Sequence, residues 1–348
     1  MPNVFDERDH AQLIAAPEAF DLETWPINPL KNHLALEVVA GLSQQGLGFR
    51  FQGGTALHTR FTKRLRFSID VDLCADPAEV HDALKGFVGQ YKHTKVELQE
   101  PPGDMSVEGV RHVLRFPGAT TPVEILVEVV PQGGHEFKVQ PLLLAADGYD
   151  WKAKCFAPTF ETFAGQKLGV LCGTTIGRQA GRGQTQWRKN QTLAKQIFDI
   201  GELLHLELDS GAVWDAFELE VASANALRKT SHAVDACAQD AIANLANLRG
   251  PRTNDKDDVV RYGLWEGFKG IKGHLAKEWD DITYRVTAGC IARVAQNTDV
   301  PWAQLARPLR EDAVPADLLA RLEAENQVPD VFAAAVRPAW AWAPRPLW

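Results

Sequence analysis

Two aspartates stand two residues apart in the run Ile69-Asp70-Val71-Asp72-Leu73. The alternation of apolar and acidic residues predicts a strand, in which residues i and i+2 point to the same face. The two carboxylates are therefore expected to project together, where they repel each other unless a cation lies between them. Because magnesium binds such carboxylates together with substrate phosphates, the pair predicts a site for phosphate chemistry.

A glycine turn precedes this pair along the chain. Phe49 and Phe51 alternate with polar residues and predict a short strand. Gly53 and Gly54 follow and allow a sharp turn and the close approach of another group. Residues 55–57 then resemble the first turn of a helix, whose free N–H groups can bind phosphate. A phosphate site beside paired carboxylates favours two-metal nucleotidyl transfer, whereas the plainer interpretation is a structural turn before a solvated strand face.

The turn and the acidic pair together resemble the signature of AbiEii-type nucleotidyltransferase toxins, within the DNA polymerase β-like nucleotidyltransferase superfamily. The pattern is Gly-Gly-Thr-Ala-Leu followed by Arg-Phe-Ser-x-Asp-x-Asp-Leu. Its matching positions are Gly53, Gly54, Thr55, Ala56, Leu57, Arg66, Ser68, Asp70, Asp72 and Leu73. The chain departs from the family at Ile69, where an acidic residue is frequent.

The resemblance implies roles for these residues. Asp70 and Asp72 would bind magnesium, with a two-metal site expected. The β- and γ-phosphates of a nucleoside triphosphate would be bound by the glycine turn and by the polar residues around it, which are Gly53, Gly54, Thr55, Arg66 and Ser68. Arg66 has a structural alternative, in which it orients one of the two aspartates.

A third carboxylate is expected from a neighbouring strand. In the strand-like run Val123–Val130, Glu124, Leu126 and Glu128 share one face. Two-metal nucleotidyltransferases usually add such a carboxylate, which helps to hold the catalytic metal and can accept a proton from the attacking hydroxyl. The family pattern favours Glu128 for this role, with Glu124 as the alternative. Both glutamates could instead be exposed residues of an edge strand.

Two further elements of the family have counterparts later in the chain. Residues 160–168 are similar to its Ala-x-x-Lys-Leu element, in which the lysine reaches the nucleotide phosphates, and the match falls on Lys167. Residues 198–203 resemble its Arg-Asp-x-x-Asp-Leu element, and the second aspartate corresponds to Asp199. Asp199 is therefore expected to face Lys167 and the active site. The first half of that element departs from the family, because Lys195 and Gln196 replace Arg-Asp.

Residues 177–189 are predicted to form the most basic loop of the protein. The segment carries four positive charges, no negative charge, three glycines and Trp187. Cationic loops of this kind suit a phosphate backbone, and an aromatic ring can stack on a base. We interpret it as the candidate contact with RNA, tRNA in particular, or with triphosphate; the alternative is a disordered connector.

Composition describes an ordinary soluble protein. The chain has 348 residues, 45% hydrophobic and 24% charged, with a formal net charge of −8. The acidic balance excludes a global basic footprint for nucleic acid. Its five cysteines are scattered without metal-finger or redox spacing, which indicates reduced thiols and a cytoplasmic protein. The polar N-terminus is unlike a signal peptide, and no apolar run reaches membrane-spanning length, so no membrane partner is expected.

The predicted fold class is α/β (α+β). Residues 1–150 are expected to form a polymerase β-like mixed sheet flanked by helices, and residues 151–348 a mostly helical domain that contributes Lys167 and Asp199 to a cleft. The predicted helices and strands of the first domain are Leu30–Gly46, Pro77–Tyr91, Thr94–Leu98, Val110–Phe116 and Val123–Val130. Residues 132–148 are predicted to be irregular. The Pro/Trp-rich tail at 338–348 either packs on the protein or binds a partner.

The resemblance implies an enzyme of a bacterial toxin–antitoxin or phage-defence system. The expected reaction transfers a nucleoside monophosphate from a nucleoside triphosphate to an acceptor hydroxyl, most favourably at the 3′ end of tRNA, with release of pyrophosphate. A cognate antitoxin is the expected partner. Two alternatives are transfer to a protein or small-molecule hydroxyl, and a non-catalytic nucleotide- or RNA-binding member of the fold.

Overall fold

The structure is a computed structural model of the chain. It describes residues 27–61, 65–89, 95–99, 109–116, 122–131, 136–146, 149–248, 255–275, 279–296 and 302. The Pro/Trp-rich tail and residues 132–135 of the segment predicted to be irregular lie outside these ranges. The chain divides into two compact units. The first runs to Thr159 and also takes Gly273–Lys277; the second takes Phe160–Lys272 and the chain from Glu278 onward.

A mixed sheet forms the centre of the first unit, with seven strands in the described part of the chain. The strands are β1 (Arg50–Gln52), β2 (Val71–Cys74), β3 (Lys95–Gln99), β4 (Val110–Phe116), β5 (Val123–Val130), β6 (Val139–Ala146) and β7 (Tyr149–Pro158). Their order across the sheet is β3-β4-β5-β2-β1-β7-β6. The pairs β2/β5 and β1/β7 are parallel, and the others are antiparallel. This arrangement confirms the predicted fold class.

Helices pack against this sheet. They are α1 (Ile27–Gln44), α2 (Gly53–Thr59) and α3 (Pro77–Val88). Helix α1 contacts β2, β5 and β7, and its apolar residues from Leu34 to Leu42 are almost completely buried, as expected for a helix that is apolar on most sides. Asp76 caps the N-terminus of α3, and its side chain accepts hydrogen bonds from two backbone N–H groups of the first turn. Both helices confirm the periodicity read from the sequence.

A segment from late in the chain completes the first unit. The backbone N–H of Phe67 donates a hydrogen bond to the carbonyl of His274 at 2.9 Å. Arg66 and Leu275 form an isolated antiparallel bridge. The backbone just before the acidic pair is therefore held by residues that follow most of the second unit in sequence.

The prediction of irregular structure at residues 132–148 is wrong for its second half. Strands β6 and β7 form an antiparallel hairpin, in which Pro141 pairs with Phe156. Pro141 breaks the strand pattern in the sequence, but β6 is an edge strand, where a residue without an N–H group is tolerated. The three consecutive leucines after it also hide the alternation, although Leu142 and Leu144 are buried and Leu143 is exposed.

The second unit is helical in its described part, as predicted. Its helices are α4 (Phe160–Val170), α5 (Gln184–Leu204), α6 (Ser210–Arg228), α7 (Val234–Ala246), α8 (Val259–Ile271) and α9 (Asp281–Val294). Aromatic side chains fill its core, where the rings of Phe268 and Tyr284 stack with centroids 4.6 Å apart. Among the helices of the described ranges, none is both long and apolar enough to cross a membrane.

Helix α8 approaches α5 through glycines, and this contact gives a first prediction. A Cβ atom at Gly267 would overlap the backbone carbonyl of Asn190. Gly267→Ala is therefore expected to destabilise the protein by about 1–3 kcal/mol, because backbone cannot move aside easily. Gly86→Ala in α3 is the control, since its Cβ would meet only the end of the Gln45 side chain, and alanine should gain roughly 0.5–1 kcal/mol there. Urea unfolding of both variants checks the prediction, and equal effects would contradict it.

A pair of histidines, one on β4 and one on α3, gives a second prediction, which concerns the pH dependence of stability. His112 of β4 is fully buried, and its Nε2 lies 3.1 Å from Nδ1 of His81 on α3. Burial and the neighbouring His81 lower the pKa of His112 to about 4. An unfolded histidine titrates near pH 6.5, so the unfolded state binds more protons between these values. Stability is therefore expected to fall by up to roughly 3 kcal/mol as the pH drops from 6.5 to 4.

Urea unfolding at several pH values between 7 and 4.5 measures this effect. His112→Phe keeps the volume of the ring and removes the titrating group, so its stability should depend less on pH over the same interval. A wild-type curve as flat as that of the variant would argue against a buried neutral His112.

Candidate active site

The glycine turn between β1 and α2 packs directly against polar side chains. Gly53 has φ +74°, a conformation that favours glycine, and a Cβ atom there would overlap the carboxylate of Asp72. A Cβ atom at Gly54 would overlap the guanidinium of Arg66 and the hydroxyl of Ser68. The two glycines thus make room for these three polar groups, all of which the sequence analysis singled out.

The acidic pair lies where the chain enters β2. Asp70 immediately precedes the strand and Asp72 is its second residue. Both are half-buried, while Val71 and Leu73 are completely buried. The hydroxyl of Thr55 donates a hydrogen bond to the backbone carbonyl of Asp70 at 2.5 Å. In this structure Thr55 therefore fixes the position of the acidic segment through its side chain.

The register of the sheet aligns four polar residues, one on each of four neighbouring strands. Asp72 is the Cα partner of Gln52 on β1 and of Glu128 on β5, and Glu128 is in turn the partner of Arg111 on β4. Directly paired residues of neighbouring strands share a face of the sheet, so these four side chains form one row. Arg111 and Glu128 make an ion pair within this row.

The two candidate third carboxylates differ in their place on β5. Glu128 is in register with Asp72, whereas Glu124 lies four residues earlier on the same face. Glu124 pairs instead with Arg115, at 2.8 Å, and its side chain is 53% exposed. The register therefore sets Glu128, and not Glu124, beside Asp72.

The oxygen donors of this row suit a hard cation. In the described ranges, no three or more His, Cys, Asp or Glu side chains are gathered so that they could hold a metal ion. The carboxylates of Asp72 and Glu128 are in register, and Asp70 lies two residues before Asp72. Magnesium commonly takes one or two carboxylates together with substrate phosphates rather than a complete protein cage. The residues fit that kind of site.

A buried ion pair lies in the second unit. Nζ of Lys167 on α4 is 2.7 Å from Oδ2 of Asp199 on α5, and the two side chains are 7% and 0% exposed. The same ammonium group donates to Oε1 of Gln196 at 3.0 Å. Gln196 departs from the family pattern, but it lies three residues before Asp199 and therefore on the same face of the helix. That spacing is the signal that could have identified it.

The basic segment 177–189 is only partly a loop, which corrects the prediction. Helix α5 begins at Gln184, so the end of the segment, including Trp187, is helical. The three glycines and the basic charges of the segment favoured a loop, so the start of the helix was not predicted from the sequence. The side-chain amide of Asn190 makes two hydrogen bonds to the backbone of Gly181, at 2.9 and 2.8 Å, which tie the preceding turn to the helix. Trp187 is 41% exposed, and Arg178, Arg182 and Arg188 are exposed.

Comparison with solved structures identifies similar folds. MenT4, a nucleotidyltransferase toxin from Mycobacterium tuberculosis H37Rv, matches with a TM-score of 0.55 at 14% identity, over 95% of this chain and 99% of that one. JHP933 from Helicobacter pylori matches with a TM-score of 0.42 at 14% identity, over 76% of this chain and 92% of that one. Among curated protein sequences, none matches this chain significantly.

The sequence profile described as "Nucleotidyl transferase AbiEii toxin, Type IV TA system" matches residues 35–282. This interval contains the glycine turn, the acidic pair, the strand with Glu128, and both residues of the buried ion pair. It covers more than half of the chain and confirms the resemblance read from the sequence. The chain therefore belongs to the AbiEii nucleotidyltransferase toxin family.

Proposed function

We propose that this toxin transfers a nucleoside monophosphate from a nucleoside triphosphate to an acceptor hydroxyl, with the 3′ end of tRNA as the acceptor. The observation that carries the proposal is the row in which Asp72 lies beside Glu128 and against the glycine turn. Such a reaction requires carboxylates for a metal, a close approach for phosphates and a cation for developing charge. The family implies a nucleoside triphosphate substrate and an antitoxin partner.

The nucleotide would be bound by the glycine turn. Gly53 and Gly54 let Asp72, Arg66 and Ser68 approach the backbone of the turn. We assign the binding of the β- and γ-phosphates to this turn together with Arg66 and Ser68. Thr55 contributes by holding the segment that carries Asp70. Asp70, Asp72 and Glu128 would hold magnesium, in a two-metal arrangement. When bound, the metal supplies Lewis-acid stabilisation of charge on the phosphate oxygens.

In the reaction, the acceptor hydroxyl attacks the α-phosphate in line. The new bond joins the acceptor oxygen to the α-phosphorus, the bond to the bridging oxygen breaks, and pyrophosphate leaves. We assign Glu128, which is in register with Asp72, the further role of accepting the proton of the attacking hydroxyl. We assign Lys167, oriented by Asp199, the task of neutralising charge that builds on the phosphates.

The decisive experiment incubates the purified protein with magnesium, total bacterial RNA and each α-³²P-labelled nucleoside triphosphate in turn. A denaturing gel is run beside Asp70→Ala. Label on tRNA-sized RNA that the variant does not produce would support the proposal and name the nucleotide. Label on protein would instead favour modification of a protein hydroxyl, and no label on any acceptor would contradict the proposed activity. Since tRNA and nucleoside triphosphates are cytoplasmic, the proposal also places the enzyme there, in a toxin–antitoxin or phage-defence system.

The basic segment gives a third prediction, which concerns the acceptor. Arg182→Glu combined with Arg188→Glu is expected to raise the KM for RNA by about tenfold or more, because two phosphate contacts would become repulsive. The salt dependence of log KM should also become shallower, by roughly one unit of slope for each lost contact. Steady-state kinetics at several salt concentrations measures both effects.

Lys85→Glu combined with Lys95→Glu is the matched control, since both are exposed basic residues of the first unit and the pair changes the net charge by the same amount. It leaves the basic segment unaltered. An equal rise in KM in both variants would attribute the effect to overall charge, and no rise in either would argue against this surface as the RNA contact.

A further inference from the structure

Strands β4 and β5 carry two Arg–Glu pairs. Arg111 is the Cα partner of Glu128, and Arg115 is the partner of Glu124. In each pair the two side chains form an ion pair. The two ion pairs lie on the same face of the sheet, four residues apart along each strand. Only the first is in register with Asp72 on the next strand. Arg115 also forms an ion pair with Glu97 on β3, and its pair with Glu124 is the more exposed of the two. The feature that matters for the acidic pair is that only Glu128 has a second carboxylate, Asp72, beside it.

That second carboxylate creates an electrostatic problem. Asp72 and Glu128 are direct partners across β2 and β5, and like charges opposite each other destabilise a sheet. Arg111 supplies the compensating positive charge from the other side of Glu128. The side chains of Arg111 and Glu128 are only 14% and 26% exposed, so water screens their attraction less than it would at the surface.

We propose that Arg111 is a built-in counter-ion of the carboxylate row, and that it must release Glu128 when a divalent cation binds there. The inference rests on the proposed function, since it takes Glu128 as a metal ligand. A carboxylate oxygen that accepts from a guanidinium is less available to a metal, and a cation between Asp72 and Glu128 makes Arg111 superfluous. Arg111 is thus a positioning residue that stabilises the metal-free protein and weakens its affinity for metal.

Thermal unfolding of Arg111→Gln tests the first half of this proposal. In EDTA the variant is expected to unfold about 3–6 °C below the wild type, because Glu128 loses its ion pair with Arg111 while it lies beside the carboxylate of Asp72. Saturating magnesium should bring the two melting temperatures to within about 1 °C, since the metal then supplies that charge. Arg115→Gln is the matched control, and any loss of stability it shows should be the same with and without magnesium.

Manganese binding tests the second half. Titration of Mn²⁺, followed by the electron paramagnetic resonance signal of the free ion, gives a Kd for each protein. Arg111→Gln should bind Mn²⁺ about 5- to 50-fold more tightly than the wild type, while Arg115→Gln should match it. Arg111→Lys, which keeps a positive charge without the planar fork, should keep its melting temperature in EDTA near that of the wild type and give an intermediate Kd.

The outcomes separate this inference from the function on which it rests. Suppose that Asp72→Asn abolishes Mn²⁺ binding, but that Arg111→Gln binds Mn²⁺ no more tightly than the wild type or loses stability equally with and without magnesium. The metal site would then stand and the role of Arg111 would be overturned. A wild type that binds neither ion would overturn both the inference and the metal dependence of the proposed reaction.

Discussion

Asp72→Asn is expected to lower the rate of nucleotidyl transfer by about 10³-fold or more, with little change in the fold. The variant keeps the size of the side chain, which packs against Gly53, but removes the negative charge that would bind magnesium. Metal stabilisation of a phosphoryl transition state contributes several kcal/mol, and about 4 kcal/mol corresponds to the stated loss. Initial rates with labelled nucleotide and RNA measure the effect, beside a thermal unfolding curve for each protein.

Glu124→Gln is the control for this variant. It removes a negative charge from the same face of the sheet, but at a position in register with Arg115 rather than with Asp72. Its rate should stay within about threefold of the wild type, because surface substitutions away from a site have small effects. Comparable losses in the two variants would show that general charge, and not the carboxylate row, governs the rate. Full activity of Asp72→Asn would remove the aspartate from the proposed mechanism.

Lys167→Met is expected to lower the free energy of unfolding by about 3–5 kcal/mol, the largest effect on stability that we predict. The methionine fills a similar volume, but the completely buried Asp199 loses the ammonium group at 2.7 Å. Removal of one partner of a buried ion pair is costly, since the charge that remains is shielded from water. Urea unfolding of the purified variant measures the loss.

The double variant Lys167→Met with Asp199→Leu separates the cost of an uncompensated charge from lost packing. Apolar side chains of similar volume often replace a buried ion pair without loss of stability, so the double variant should be more stable than Lys167→Met alone. Both proteins should lack nucleotidyl transfer if Lys167 acts on the phosphates. A double variant less stable than the single one would show that Asp199 contributes through other contacts. An active Lys167→Met would exclude the lysine from the reaction.

Local sequence patterns predicted the elements that carry the candidate site. The alternation around Asp72 and Glu128 has a period of two, which follows from backbone geometry alone, and both residues lie on strands. The glycine turn was equally predictable, because close approach to a neighbouring group requires residues without a side chain. These signals come from residues that are near one another in the chain.

The features that could not be predicted from the sequence depend on contacts between segments that are not adjacent in the chain. No local property distinguishes Arg111 from Arg115, and only the register of β2, β5 and β4 gives one of them a place beside the acidic row. The helical start of α5 was hidden for a related reason. Its first turn contains no apolar periodicity, and the preceding turn is tied to the helix by two hydrogen bonds, one in each direction, between the side-chain amide of Asn190 and the backbone of Gly181.

The segment Gly273–Lys277, which belongs to the first unit although it follows most of the second unit in sequence, has a consequence for synthesis on the ribosome. Arg66 and Phe67 find their backbone partners at Leu275 and His274, which are translated only after most of the second unit. A nascent chain that stops before this point lacks the contacts that anchor the Arg66 backbone ahead of the acidic pair. We therefore expect the first unit to mature late in translation, so that a chain released before residue 275 would be inactive.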